Sequence, residues 1–279
     1  MTLRHRTVQR AGCDIHYWTG GPGDGPPIVF THGATLDHRT WRPQVDRFAA
    51  RYRILLWDVR GHGRSIPNRS AWSLSTAMED LLAILDREGI ERTVLVGQSM
   101  GGNLSQEVVY HHADRVSALV ALGCAGNTLP LSRRERLQAA AVVRMLPWYP
   151  RRTLIRQEAK ASARDHRVRQ YVRDTASRMS HPDMVAVMAS LVGALHPEPA
   201  YRIEVPELLL HGEHDRLGNF RTAMPVWERR DPLARYLVVP DAAHLANQDN
   251  PAFFNDAVLR FLAEHGLDPS KDRHDDVDS

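Results

Sequence analysis

Thr93-Val94-Leu95-Val96-Gly97-Gln98-Ser99-Met100-Gly101-Gly102 is the stretch that decides the fold. Its first four residues form an apolar run with no polar alternation, which fits a strand covered on both faces. A helical pattern follows over 103–111. Between the two lies G-x-S-x-G, in the strand-to-helix setting that a nucleophile elbow requires. Glycines flanking the serine let backbone approach backbone without a Cβ clash. Such a turn lifts the Ser99 hydroxyl clear of the sheet. It also leaves the N–H groups of the first helical turn free to face a developing oxyanion.

The same rhythm extends in both directions. Short apolar runs recur at 28–30, 54–57, 118–122, 208–210 and 236–239. Between them lie helical stripes, best seen at 75–88 and 253–263. Gly89 suits the end of the first stripe, and Pro251 sits at the start of the second. Strands alternating with helices predict an α/β fold with a mostly parallel central sheet flanked by helices. Residues 126–200 break the rhythm, since they carry helical patterns cut by prolines and no convincing strand. They predict a helical cap inserted into a core of residues 1–125 and 201–266. Residues 267–279 lack apolar anchors and are expected to be a disordered tail.

Composition removes several function classes. The 279 residues are 43% hydrophobic and 25% charged, a globular balance. A chain of this length buries roughly 75% of its unfolded surface, enough for one large domain. No apolar run is long enough for a membrane span or a signal peptide, so a cytoplasmic protein is expected. The two cysteines, Cys13 and Cys124, are expected as free thiols, because a disulfide scaffold or a CxxC metal pair needs more. The pI is near 9.1, yet Lys160 and Lys271 are the only lysines and no basic nucleic-acid module is recognisable. Residues 130–180 hold thirteen Arg and Lys against four Asp and Glu, which reads first as a solvated helix face and second as a device for steering anions.

At this point the sequence resembles the α/β-hydrolase fold family over about residues 5–265. The elbow, His32-Gly33 after the first core strand, Asp58-Val59-Arg60-Gly61-His62-Gly63-Arg64-Ser65, and His211-Gly212-Glu213-His214-Asp215 stand in the family's order. His244 follows the last strand, where the family places its base. The resemblance implies Ser99 as nucleophile, His244 as base and Asp215 as the acid that fixes the imidazole. It also implies backbone N–H groups of Ala34 and Met100 as oxyanion donors. Chemistry agrees with these roles. A serine hydroxyl needs a base, histidine titrates near neutrality, and a carboxylate holds its tautomer. Glu213 and Asp241 are rival acids, but Asp215 follows its strand by the shorter family-like turn. The segment Gly123-Cys124-Ala125-Gly126-Asn127, where some relatives keep the acid, offers no carboxylate. Ala243 stands where relatives often have glycine. Asp58, Arg64, His62 and His214 are expected to brace loops, and the adjacent His111 and His112 point too far apart for a metal.

Members of this fold that open epoxides or remove halogen carry aspartate at the elbow, so Ser99 implies acyl transfer. The expected substrate is a small ester, thioester or lactone, cleaved with no cofactor and no metal. The stretch His32-Gly33-Ala34 with Trp41, Pro43 and Gln44 resembles enol-lactonases and cofactor-free haloperoxidase-like esterases more loosely. Carbon–carbon bond hydrolysis, perhydrolysis and a non-catalytic receptor on the same fold are the alternatives. His32, Trp148, Met184, Met188 and Leu245 are expected to line the substrate pocket, with the cap's own core an equal alternative for Trp148, Met184 and Met188, and either a monomer or a homodimer is compatible.

Overall fold

A computed structural model describes residues 1–269. Its centre is an eight-stranded sheet: β1 (Arg4–Arg10), β2 (Cys13–Gly20), β3 (Pro27–Thr31), β4 (Arg53–Trp57), β5 (Thr93–Gln98), β6 (Val116–Leu122), β7 (Glu207–Gly212) and β8 (Ala234–Val239). The spatial order is β1-β2-β4-β3-β5-β6-β7-β8, and only β2 runs against the others. Ten helices accompany it among the described residues: α1 (Arg42–Ala49), α2 (Leu74–Arg87), α3 (Met100–His111), α4 (Arg133–Met145), α5 (Arg151–Ser162), α6 (His166–Ala176), α7 (His181–Gly193), α8 (Phe220–Arg230), α9 (Ala246–Asp249) and α10 (Pro251–Glu264).

The apolar runs sort by strand parity into two cores. Val29, Leu55, Leu95, Leu119 and Leu209 point to one face, against Leu81 of α2, Leu104 of α3 and Met224 and Trp227 of α8. Ile28, Phe30, Ile54, Leu56, Val94, Val96, Val120, Leu208 and Leu210 point to the other, against Phe48 of α1 and Phe254, Val258 and Phe261 of α10. Each fully buried side chain of this kind contributes about 1.5–3 kcal/mol, and burial on both faces is why these strands read as continuous apolar runs. β1 and β2 were not visible as such runs. β1 is a largely exposed edge strand, RHRTVQR, whose charged residues protect the open edge of the sheet.

Between β6 and β7 the chain forms α4 to α7 and no strand. Sequence-coded caps start three of these helices. Ser132 and Glu135 form a capping box on α4, Asp165 caps α6 and Ser180 caps α7. A small apolar seam of Leu36, Ala159, Ala163, Val168, Val172 and Leu245 joins these helices to the loops above the sheet. Polar bolts reinforce it. Leu245 N–H donates to the Ser162 carbonyl at 2.7 Å, and the Asp249 carboxylate accepts from the N–H groups of Ala243, Arg164 and Asp165.

The tail expected from residue 267 begins too early. Leu267 packs on the core that holds Phe254 and Phe261, and Asp268 pairs with Arg51 at 3.0 Å. The rest of that expected tail, 270–279, lies outside the described residues. Both cysteines are free and buried, and burial pushes the Cys124 thiol up to about 12.

Candidate active site

Strand order reverses between β3 and β5, so the loops leaving their carboxyl ends diverge and open a crevice. Ser99 stands there at φ 52° and ψ −116°, a positive φ that non-glycine residues rarely adopt. Its neighbours explain how the turn closes. A Cβ on Gly97 would lie 2.2 Å from the Gly101 carbonyl oxygen, and one on Gly101 would lie 2.2 Å from the Thr31 oxygen. Ser99 N–H continues the sheet ladder to the Leu122 carbonyl at 2.8 Å, while the Ser99 carbonyl accepts from Gly102 and Asn103 and starts α3. Met100 is the first residue of α3, a position whose N–H has no intrahelical acceptor.

Asp215 and His244 come from the loops after β7 and β8. The Nδ1 edge of His244 meets Asp215 Oδ2 at 2.8 Å, and both residues are buried. Asp215 Oδ1 accepts the Leu217 N–H at 2.9 Å, which holds the carboxylate in place. Phe220 stacks on the imidazole with centroids 5.5 Å apart and planes 18° off parallel. On the other side Gly123 comes so close that a Cβ there would sit 3.0 Å from the ring. Ser99 and His244 line one cavity of about 320 Å³ with Ala34. The hydrogen bonds of the described residues give His244 to Asp215 and do not join its ring to the Ser99 hydroxyl. Such contacts are often loose before substrate binds.

Several expectations for the pocket meet different fates. Met184, Met188 and Leu245 line the cavity, Met184 and Met188 from α7 and Leu245 beside the imidazole. His32 does not. It is fully buried, with Nδ1 against the Gly33 carbonyl at 2.7 Å and Nε2 accepting the Val59 N–H at 3.0 Å. Both ring nitrogens are spent on the backbone, and burial lowers its pKa, so His32 braces the loop instead of touching ligand. Trp148 does not line the cavity either; it is 87% exposed on the turn after α4. The sequence missed Phe220 and also Glu158, a carboxyl on α5 that lines the cavity and accepts from the Thr35 hydroxyl.

The remaining polar residues fall into place around the loops. Asp58 accepts from His38 N–H at 2.7 Å, His38 Nδ1 at 2.8 Å and Arg64 N–H at 2.7 Å. His62 bonds the Arg60 carbonyl at 3.0 Å, and its burial brings its pKa down to about 3. Glu213, His214 and Asp241 are the one group among the described residues with metal-ligand spacing. All three are exposed, and none lines the cavity. No helix of the described residues is long and apolar enough to cross a membrane.

Comparison with known proteins agrees with this architecture. Epoxide hydrolase 3 of Xenopus tropicalis is 28% identical, with 93% of this chain and 77% of that protein covered. The 3-oxoadipate enol-lactonase 2 of Acinetobacter baylyi is 24% identical, with 88% and 91% covered. Among solved structures, the enol-lactonase from Burkholderia xenovorans LB400 superposes with a TM-score of 0.79 at 25% identity, covering 92% of this chain and all of that one. The sequence profile of the Alpha/beta hydrolase family matches residues 28–257. With most of its length under that profile, the chain belongs to the alpha/beta hydrolase family.

Proposed function

We propose that this chain is a serine hydrolase that cleaves a small carboxylic ester or lactone through an acyl-enzyme. The observation that carries the reading is the buried 2.8 Å contact between His244 Nδ1 and Asp215, with His244 lining the same cavity as a serine on a strained elbow. Ser99 Oγ attacks the substrate carbonyl while His244 Nε2 takes its proton. Asp215 stabilises the imidazolium that forms. Backbone N–H groups of Met100 and Ala34 receive the oxyanion, each such donor being worth about 3 kcal/mol in the transition state. The imidazolium returns the proton to the leaving oxygen. Water, deprotonated by His244, then attacks the acyl group and frees Ser99. In this reading α4 to α7 act as a cap, with α5 and α7 forming the roof over the serine.

Epoxide hydrolases among the relatives do not change the assignment, because the elbow here holds a hydroxyl and not a carboxylate. The test is a panel of esters, thioesters and lactones with intact-mass detection of the acyl-enzyme, alongside fluorophosphonate labelling. Rapid labelling of Ser99 with multiple turnover is expected, and Ser99→Ala should lose both. Labelling without turnover indicates a ligand receptor on this fold. Hydrolysis that persists in purified Ser99→Ala refutes the mechanism.

A further inference from the structure

The cavity over Ser99 is walled mainly by Leu, Met and Ala, and Glu158 is the one carboxylate among its lining residues. None of the thirteen basic residues of 130–180 lines it, although they dominate the outside of the same helices. The Glu158 carboxyl accepts from the Thr35 hydroxyl, and no Arg or Lys pairs with it among the described residues. Thr35 follows Ala34 on the loop after β3 and has φ 64°. The Glu158 carboxyl is therefore held to the loop that carries Ala34, in the same cavity as Ser99.

A carboxylate in an apolar enclosure without a counter-ion is unfavourable unless a ligand supplies one. We propose that Glu158 is a specificity residue that selects esters bearing an ammonium or other nitrogen donor and disfavours anionic ones. This inference rests on the serine-hydrolase reading of the same site. It also makes the basic exterior of 130–180 a solvated surface and not a guide for anionic substrates. Burial raises the Glu158 pKa to about 7, with the Thr35 hydrogen bond and His244 pulling it back down. The preference for cations therefore belongs to the pH range above neutrality, where the carboxylate is ionised, and fades below it. Among the lining residues from the β3, β5, β7 and β8 loops, α5 and α7, His244 is the one other titrating group, with Asp215 behind it.

The test uses three p-nitrophenyl esters of equal chain length: hexanoate, 6-aminohexanoate and the adipate half-ester. The ratio of kcat/KM for the cationic to the neutral ester removes any pH dependence of the chemical step that all three share. The wild-type protein should favour 6-aminohexanoate and reject the half-ester, and the ratio should rise between pH 6 and pH 8. Glu158→Gln keeps an acceptor for Thr35 and should lower the ratio about tenfold, with Glu158→Asp restoring part of it. An unchanged ratio in Glu158→Gln, a wild-type preference for the anion, or a ratio flat with pH overturns the proposal. The pH arm needs no variant, so misfolding of Glu158→Gln leaves the test intact. Turnover of hexanoate without charge preference removes this proposal alone. No turnover of any ester, with Ser99 inert to fluorophosphonate, removes the serine-hydrolase reading as well.

Discussion

Replacing Asp215 by Asn tests the geometry most directly. The carboxylate has two separate duties. Oδ1 accepts the Leu217 N–H at 2.9 Å, and Oδ2 receives the His244 Nδ1 edge at 2.8 Å. Asn preserves the first with its carbonyl, so the loop should keep its shape. The second then meets an NH₂ group. Imidazole answers by placing its proton on Nε2, and the nitrogen that should accept from Ser99 becomes a donor. A tautomer error of this kind lowers kcat by about 10⁴, or roughly 5.5 kcal/mol at 1.36 kcal/mol per decade. KM on a short ester should change little, since Asp215 does not line the cavity. The assay is kcat and KM on p-nitrophenyl acetate, with urea unfolding as the control for folding. Glu213→Gln and Asp241→Asn, both at exposed carboxylates, should stay near wild type. A Asp215→Asn protein that folds and retains activity within tenfold, or a comparable loss in Glu213→Gln, refutes the assignment of the acid.

Two further outcomes concern stability. Gly101→Ala drives a methyl to 2.2 Å from the Thr31 oxygen and 2.8 Å from the His32 oxygen, both backbone atoms; it should destabilise by about 3 kcal/mol in urea unfolding, and a loss below 1 kcal/mol contradicts the packing of the elbow. Glu207 is fully buried, and burial, with the nearby Asp231 charge, raises its pKa to about 9 against the opposing pull of Arg230 and the Trp227 side chain. The folded state then holds a proton that the unfolded chain releases near pH 4.5, the ordinary glutamate value. Stability should be greatest below that value and fall as pH rises toward 9, by up to about 1.4 kcal/mol per unit. Glu207→Gln should flatten the decline between pH 5 and pH 9 in thermal melts; an unaltered slope refutes it.

What the sequence disclosed, and what it withheld, follows from the range of each signal. The core strands were legible because a residue covered on both faces must be apolar, whichever helix covers it. The helix read at 75–88 appears as Leu74–Arg87, with the Ser73 hydroxyl accepting from the Thr76 N–H. The elbow was legible because its glycines flank the serine within one pentapeptide, although only Gly97 answers to a nearby backbone atom, the Gly101 carbonyl, while Gly101 answers to the Thr31 carbonyl of β3. By contrast β1 is an exposed edge strand, and the buried β2 interleaves its apolar residues with Asp14, His16 and Thr19, so no continuous run marks either. Trp148 is a large aromatic of a type usually buried, but the turn after α4 turns it outward. His32 stands next to Gly33 and Ala34, while the Val59 N–H, 27 positions away, claims its second nitrogen. Glu158 carries no local signal at all. Its meaning arises only when α5 folds back over Thr35, a contact spanning 123 positions.

The cavity draws on two parts of the fold. Ser99, His244 and Ala34 stand on loops anchored in the sheet, whereas Leu154, Glu158, Met184 and Met188 belong to α5 and α7. In the proposed reading, reaction and selection are thus encoded apart. Substitutions in the overlying helices are free to redraw the shape and charge of the chamber while the bond-breaking groups keep their positions. Such a division lets one scaffold diversify its diet without reinventing its chemistry, and it marks α5 and α7 as the segments to randomise when a new specificity is sought.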